Sequence, residues 1–591
     1  MRTSEKGYFV PVSRGWWCAW VMGVCLASFG GCERASWMGM DRGKEEASGA
    51  RDDQADLARK TAALPGTVGA AASLEGMGDI FVEGYGLVGG LAGKGSRECP
   101  EPLRAELIEA IAKAQKTGGF GDRKDLPSPM SIIRSGNTAV VRVRGRLPGG
   151  ASKGERFDVS VEALPNTGTT SLEGGWLYSC DLRVFGGPAS GGARSKIMAR
   201  AAGPVFINPF EKRDYQGTTM LHRSGFVLGG GSGTVDRPLS LVLYQGSYEI
   251  ARAIEQKINT AFGPVSGGRD GSAAKAVSPN RVELRIPAEY GDRKSYFLAL
   301  VNSLYVRSDP NFIDVRSREQ VSEIMAPLAN AEAISFAWEG MGRTVLPVIQ
   351  GLYGNSNQQA SFWSSRAGAA LGDTLAIERL GGFATSAGPY RVKAVEQLGY
   401  CRSPVASEAL RKVVASDDVD LRILAYEGLS RAKDASVKRG IVGVDRFLLD
   451  MVSCGGRPLV YVTRTAEPKV VVFGSARIEP PVFYSDWDRM LTISANTEDR
   501  ELSVVRRLPP DGSSIQAASG LEVSRLLGLL GGQLGRDGER YTGMGVPYNR
   551  VISVLHSLYD SGALAGVFKL QDMSVWPDRT AYELGRPERD E

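Results

Sequence analysis

Histidine is almost missing from this chain: two in 591 residues, His222 and His556. That number excludes a three-histidine zinc site, and neither histidine belongs to a His/Cys cluster with ligand spacing. A Ser-His-Asp triad survives the count, but no G-x-S-x-G elbow precedes either histidine in the context that motif needs. Both read as ordinary core or surface histidines, so no catalytic residue and no metal ligand is expected. Charge of one sign is absent too. The 71 basic and 66 acidic residues leave +5, near balance for this length, and make no case for nucleic acid. Cysteine is scarce, with 7 in the whole chain. The apolar run over residues 16–29 is too short for a comfortable membrane span of about 20 residues.

Glycine is what the chain has in excess, 74 residues against an average usage of about 7%. The glycines are spread among strand-like segments, which implies many turns rather than a fibrous repeat. With 42% apolar residues and a length of several times the usual ~100–200 per domain, the chain can build more than one sizeable core.

The N-terminus reads as an export signal. Arg2, Lys6 and Arg14 give a positive start, the uncharged run 16–29 follows, and Phe29-Gly30-Gly31-Cys32 closes it. Small residues before a cysteine resemble the lipobox of bacterial lipoproteins, which implies lipidation of Cys32 and cleavage before it. Phe29 stands where leucine is commonest, and ordinary cleavage nearby or an uncleaved anchor are the alternatives. All three put the body outside the cytoplasm. Residues 1–32 are therefore expected to be a lipoprotein-type signal peptide. Residues 33–72, charged and poor in large apolar side chains, are expected to be a disordered tether. Export permits disulfides, and Cys99, Cys180, Cys401 and Cys454 allow three pairings. Cys99–Cys180 and Cys401–Cys454 are the sequence-local pairs; free buried thiols are the alternative.

The folded region reads as α+β. In "TAVVRVRG", Ala139, Val141 and Val143 share one face, with Arg142 and Arg144 on the other. "FDVSVEA" puts Phe157, Val159 and Val161 opposite Asp158, Ser160 and Glu162, and "RVELRIP" repeats the pattern with Val282, Leu284 and Ile286. This is the signature of half-buried strands. Helical stripes interrupt them: Leu103, Leu107, Ile108 and Ile111, then Ile250, Ile254 and Ile258 closed by Gly263. Strands with interspersed helices predict a β-rich α+β core over 73–315.

From about 316 the alternation gives way to Ala, Leu, Glu and Arg. Arg391-Val-Lys-Ala394-Val-Glu396-Gln-Leu398 recurs as Arg422-Ile-Leu-Ala425-Tyr-Glu427-Gly-Leu429, a frame R-x-x-A-x-E-x-L, with a helix-like "SPVASEALRKVVAS" between the copies. This looks like two HEAT-type helical hairpins, with "SSRAGAALGD" a degenerate earlier copy; an ordinary helical bundle is the alternative. The module is expected over 316–455. Strands return with "PLVYVTR" and "KVVVFGSARI", two helices follow, and a C-terminal segment over 456–575 precedes a polar tail, 576–591.

The stretch "VEGYGLVGGLAGKGS" (82–96) invites a nucleotide reading, because Gly84, Gly86 and Gly89 match G-x-G-x-x-G. The context denies it. A P-loop needs G-x-x-x-x-G-K-[ST], and here Val88 holds the first glycine position and Gly95 the hydroxyl position. A dinucleotide fingerprint needs its third glycine to enter a helix directly, and here helical pattern begins only after Pro100. The glycines are expected to make turns between strands.

Five ordered segments resemble the flagellar basal-body P-ring protein family. "LEGMGDIFVEGYGLVGGLAGKGS" (74–96) is similar to its mature start, a strand running into a glycine-rich turn. "GRLPGGASKGERFDVSVEALPNTGTTSLEGGWLYSCDL" (145–182) is similar to its G-x-R-x-D-V-x-V and S-L-x-G-G-x-L pair, on Gly154, Arg156, Asp158, Val159, Val161, Ser171, Leu172, Gly174, Gly175 and Leu177. Segments 239–263 and 281–306, and then a C-terminal stretch on 471–480 and 549–571, continue the order. The resemblance implies a structural subunit of a homo-oligomeric periplasmic ring around the rod, acting as a bushing with the outer-membrane L-ring, with no reaction and no cofactor. The partners it implies are the L-ring protein, the distal rod, peptidoglycan and a periplasmic assembly chaperone. Lys94 and Arg97 are candidates to face an acidic neighbour, against plain solvation. The lipobox, the inserted helical module, Trp176 and Cys180 depart from the family. They leave a second reading: a scaffold lipid-anchored to the outer membrane whose helical module recruits an envelope partner.

Overall fold

The computed structural model describes residues 63–116, 127–184, 196–210, 222–263, 271–307, 309–326, 329–443, 447–508, 513–533, 535–537 and 540–572. The expected signal with Cys32, most of the expected tether and the polar tail lie outside them. No helix among the described residues is long and apolar enough to cross a membrane. Strands and helices are mixed throughout, as the α+β pattern predicts.

Ten strands come first: β1 Ala72–Glu75, β2 Ile80–Gly89, β3 Ala139–Leu147, β4 Arg156–Ala163, β5 Trp176–Val184, β6 Ile197–Pro204, β7 Ser224–Gly233, β8 Leu239–Leu243, β9 Ala274–Ser278 and β10 Arg281–Leu284. Six of them close a barrel in the order β2-β3-β4-β7-β6-β5. Closure leaves no free edge, and the barrel is filled by the alternating set read from sequence: Val141, Val143, Val159 and Val161 are all fully buried. On the outside, Arg142 pairs with Glu162 at 2.8 Å and Arg144 with Glu83 at 2.8 Å. Val140 points outward yet is also buried, because helix Glu101–Lys116 lays Leu107 and Ile111 against it.

A four-stranded sheet, β1-β8-β10-β9, stands beside the barrel. Helix Tyr248–Phe262 covers it with Ile254 and Ile258, capped by the Ser247 hydroxyl and ended by Gly263 at φ 66°. The expected tether stops earlier than 72. Val68 is fully buried in this core and Thr67 bridges to Tyr305, because a short apolar run inside a polar stretch found a pocket to fill.

Helices follow from Pro310 to Arg431. Asp309, Asn330, Asn357, Asp373, Ser403 and Asp418 each accept a backbone N–H at a helix start, the ordinary use of short polar residues there. The repeated frame lands on helices Arg391–Leu398 and Val419–Arg431, where Ala394, Leu398, Ala425 and Leu429 are fully buried. Gly399 and Gly428 let these helices touch, since a Cβ added to Gly428 would lie 2.7 Å from the Gly399 Cα.

The helical stretch ends before 455. The strands that follow are β11 Val437–Val442, β12 Phe447–Val452, β13 Leu459–Val462, β14 Lys469–Phe473, β15 Val482–Ser485, β16 Leu491–Ala495, β17 Glu501–Arg507, β18 Ser514–Gly520, the short hairpin β19 Gly535–Asp537 and β20 Arg540–Gly543, and β21 Val567–Leu570. One sheet has the order β11-β12-β14-β13-β21. Its strand β12, "FLLDMV", is apolar except for the buried Asp450, which accepts from Tyr426 and Arg439, and periodicity alone cannot assign it. This sheet is buried on both faces. Leu459, Tyr461, Val471 and Phe473 pack into the helical core, while Val460, Val462, Val470 and Val472 pack against helices Val523–Gly531 and Tyr548–Asp560. A second sheet, β15-β16-β17-β18, shares the latter core.

Candidate functional site: a charged junction

The glycine stretch behaves differently from the turn expected of it. Gly84, Gly86 and Gly89 lie inside strand β2, and the chain turns only over 90–96, with Gly90 at φ 82° and Gly93 at φ 88°. The strand glycines serve close approach. A Cβ on Gly84 would run into the Asp181 carbonyl of β5, and one on Gly86 would sit 3.1 Å from Cys180 Cβ. The turn's N–H groups are already used: Gly93 donates to Asn137 Oδ1, Lys94 to the Leu91 carbonyl, Gly95 to that of Gly136 and Ser96 to that of Thr138. They form no phosphate cradle.

Lys94 points instead into its own chain. Its Nζ stands 3.6 Å from Glu173, at the tip of the hairpin that precedes β5, and the Thr170 N–H donates to the Lys94 carbonyl. Arg97 is exposed. Glu173 is the hub, with a side chain only 5% exposed. Arg550 Nε donates to its Oε1 at 3.0 Å and Nη2 to its Oε2 at 3.1 Å; Asn549 Nδ2 adds a bond at 3.2 Å. The same guanidinium reaches the β15–β16 loop, where Nη1 donates to Asp486 at 2.6 Å and Nη2 to Asp488 at 2.6 Å. His222 lies 4.0 Å from Glu173 and edge-on to Trp487.

Burial alone would raise the Glu173 pKa, but Arg550, helped by Lys94 and His222, more than offsets it and holds the carboxyl below its ordinary value. Asp488 is lowered in the same way: burial raises it, and Arg550 outweighs burial. Arg550 itself is held more firmly protonated by its carboxylates, against the opposite pull of burial. A planar fork bonded to three carboxylates is a positioning device. It fixes helix Tyr548–Asp560 to the barrel hairpin and supplies no nucleophile or proton shuttle.

The other singled-out residues lie apart. His556 pairs with Asp560 at 2.9 Å and packs on Phe210. The four described cysteines are free thiols, and neither sequence-local pair is joined. Cys180 is buried in the barrel with its thiol toward the Tyr85 carbonyl, Cys401 donates to the Gln397 carbonyl, and Cys454 accepts from Arg422. Among the described residues, no group of three His, Cys, Asp or Glu side chains could hold a metal ion. Sequence reading missed Arg550, Asp486 and Asp488. Nothing local marks them, since their partners come from distant stretches of the chain.

Comparison with known proteins agrees with the barrel and hairpin. The family model described as "Flagellar P-ring protein" matches residues 68–318. Among relatives carrying that description, one from Anaeromyxobacter dehalogenans (strain 2CP-C) is 32% identical over 265 residues, covering 43% of this chain and 62% of the relative. One from Rhodopseudomonas palustris (strain BisB5) is 28% identical over 250 residues, covering 40% and 60%. Another from Anaeromyxobacter dehalogenans (strain 2CP-1 / ATCC BAA-258) is 28% identical over 324 residues, covering 53% and 77%. The chain thus spans about three fifths of the length of the first two. Residues 68–318, which hold the barrel, its glycine strand and the Glu173 hairpin, are thus similar to the flagellar P-ring protein family.

Proposed function

We propose that this chain is a structural subunit of a flagellar P-ring, assembling with copies of itself into a periplasmic ring around the rod and acting with the L-ring as a bushing. The match of residues 68–318 to the family carries this reading. A closed ring uses a heterologous, head-to-tail interface, which a rigid subunit serves best, and the Arg550 junction ties the C-terminal helix firmly to the barrel. The role requires no reaction and no cofactor. In this reading residues 1–32 direct export, Cys32 takes the lipid, the following segment spaces the subunit from the outer membrane, and the HEAT-like helices are an insertion into the P-ring frame. The L-ring protein, the distal rod, peptidoglycan and an assembly chaperone are its partners. The test is to delete the chain and image isolated basal bodies. Loss of the periplasmic ring and of motility is expected; intact rings and normal swimming would overturn the proposal. Mass spectrometry of the mature N-terminus tests the lipid on Cys32.

A further inference from the structure

The sheet β15-β16-β17-β18 is buried on one face only. Tyr484, Leu491, Ile493, Leu502, Val504 and Ile515 point into the core, and the residues between them point the other way. The register lines these up in two rows across the strands. One row is Phe483, Ser494, Ser503 and Ala518, and the other is Ser485, Thr492, Val505 and Gln516. All eight are exposed or half-buried, and no described helix lies over them. The sheet lies outside residues 68–318, the part matched by the family model.

The chemistry of this face is unlike that of the barrel. Neither row holds a charged residue, and Glu501 and Arg507 stand only at the two ends of β17. The barrel exterior, by contrast, is laced with pairs such as Arg142–Glu162 and Arg144–Glu83. Short hydroxyl side chains take the place of charge. Gln516 Nε2 donates to Ser503 Oγ at 3.0 Å, while the hydroxyls of Thr492 and Ser494 make no side-chain hydrogen bond among the described residues. Beside the hydroxyls stands Phe483, at 78% exposure the most open large apolar side chain among the described residues. Trp487, two positions past the end of β15, is 59% exposed and braced edge-on by His222 at 5.7 Å between ring centres.

These features choose among partners. Nucleic acid needs cations for its phosphates, and the rows have none. A stable protein interface takes about 800 Å² from each side. Four strands about 4.8 Å apart, paired over roughly four to seven residues of about 3.3 Å each, offer on the order of 300 Å². A neutral sugar chain fits both the size and the chemistry. Its C–H faces stack on an aromatic ring, and its hydroxyls donate and accept as Ser, Thr and Gln side chains do. The strand spacing of about 4.8 Å is comparable with the length of one pyranose unit, so successive sugars meet successive strands.

We propose that this face binds a neutral, extended polysaccharide chain running across the strands. One sugar stacks on Phe483, and those that follow bond to Ser494 and Ser503, with Thr492 and Gln516 alongside. The role belongs to the C-terminal sheet and does not depend on ring assembly.

The test is calorimetric titration of the full mature chain with cellohexaose, with chitohexaose and with glucose. Saturable binding of a hexasaccharide, and much weaker binding of glucose, is expected; whichever hexasaccharide binds tighter tells plain hydroxyl from acetamido sugars. Phe483→Ala, at a site too exposed to disturb folding, is expected to lose about tenfold or more, as truncation of an aromatic anchor does. Ser494→Ala/Ser503→Ala is expected to weaken binding with the thermal midpoint unchanged. No saturation by either hexasaccharide at millimolar concentration, or undiminished binding by Phe483→Ala, would overturn the proposal. So would loss of self-association in Phe483→Ala without any sugar binding by the unaltered chain, which would make the face a contact between copies.

Discussion

Arg550 and Glu173 are 377 positions apart in the chain and meet at 3.0 Å. One belongs to the last long helix, the other to the hairpin that precedes β5, and the helices from Pro310 to Arg431 lie between them in sequence. The contact holds the barrel hairpin and the C-terminal helix to each other directly. Every nitrogen of the Arg550 fork is already occupied by protein.

Replacing the fork with an apolar side chain of similar length, Arg550→Met, leaves Glu173, Asp486 and Asp488 together without their main counter-charge. A loss of about 3–5 kcal/mol is expected, the usual cost of removing one partner of a buried ion pair. Denaturant unfolding measures it. Adding Glu173→Gln to the variant should recover some of the loss, since the two sites are in contact and their effects are not additive. A single-variant loss under about 1 kcal/mol would show that the junction is no stronger than a surface pair.

Acidification should weaken the same junction. The folded-state pKa of Glu173 is lowered, with burial opposing and Arg550 prevailing. A depressed carboxyl contributes stability that is present above its unfolded value and lost as pH falls through the folded one. The contribution therefore fades from about pH 4.5, the unperturbed value, downward. Unfolding free energy measured from pH 7 to pH 3 should fall more steeply for the unaltered chain than for Glu173→Gln.

Two glycines a few positions apart should respond differently to a methyl group. Gly84→Ala drives a Cβ into the Asp181 carbonyl and within 3.2 Å of Cys180 Sγ, so the β2–β5 contact must open, at about 1–3 kcal/mol for overpacking. Gly78→Ala meets nothing within 4 Å and should be neutral within about 0.5 kcal/mol. Thermal unfolding of the two variants distinguishes close approach from turn geometry as the reason for glycine in β2. Equal midpoints would remove the close-approach explanation.

The thiols make a chemical prediction. Intact mass should be unchanged by reduction, because the four described cysteines are free. In the native state an alkylating reagent should spare Cys180, which burial keeps protonated, and react slowly with Cys401, whose pKa burial pushes up to about 11. Cys99, half-buried at the surface, should react first. A mass increase on reduction of about four daltons, two for each bridge, would restore the two sequence-local disulfides.

Local signals were legible where neighbours in sequence decide the outcome. Alternation in "FDVSVEA" marked the buried face of β4, and the stripe Ile254/Ile258 marked the face of helix Tyr248–Phe262. The repeat frame placed Ala394 and Ala425 at equivalent buried sites. Local signals failed where two distant pieces compete for one surface. Residues 67–72 read as tether because their polarity is low-contrast, yet Val68 is buried by Leu304 and its neighbours. "FLLDMV" carries no period, and only its pairing with β11 and β14 makes it a strand.

The composition and order of this chain determined by themselves the α+β pattern, the helical interruption and the likeness to P-ring subunits, because those depend on periodicity and on motifs within a few dozen residues. Tertiary structure alone decided what the charges do. Lys94 became a partner of Glu173, and Arg550 became the bond between two ends of the molecule. Coulomb interactions depend on distance and desolvation, and neither is defined until the chain has closed on itself.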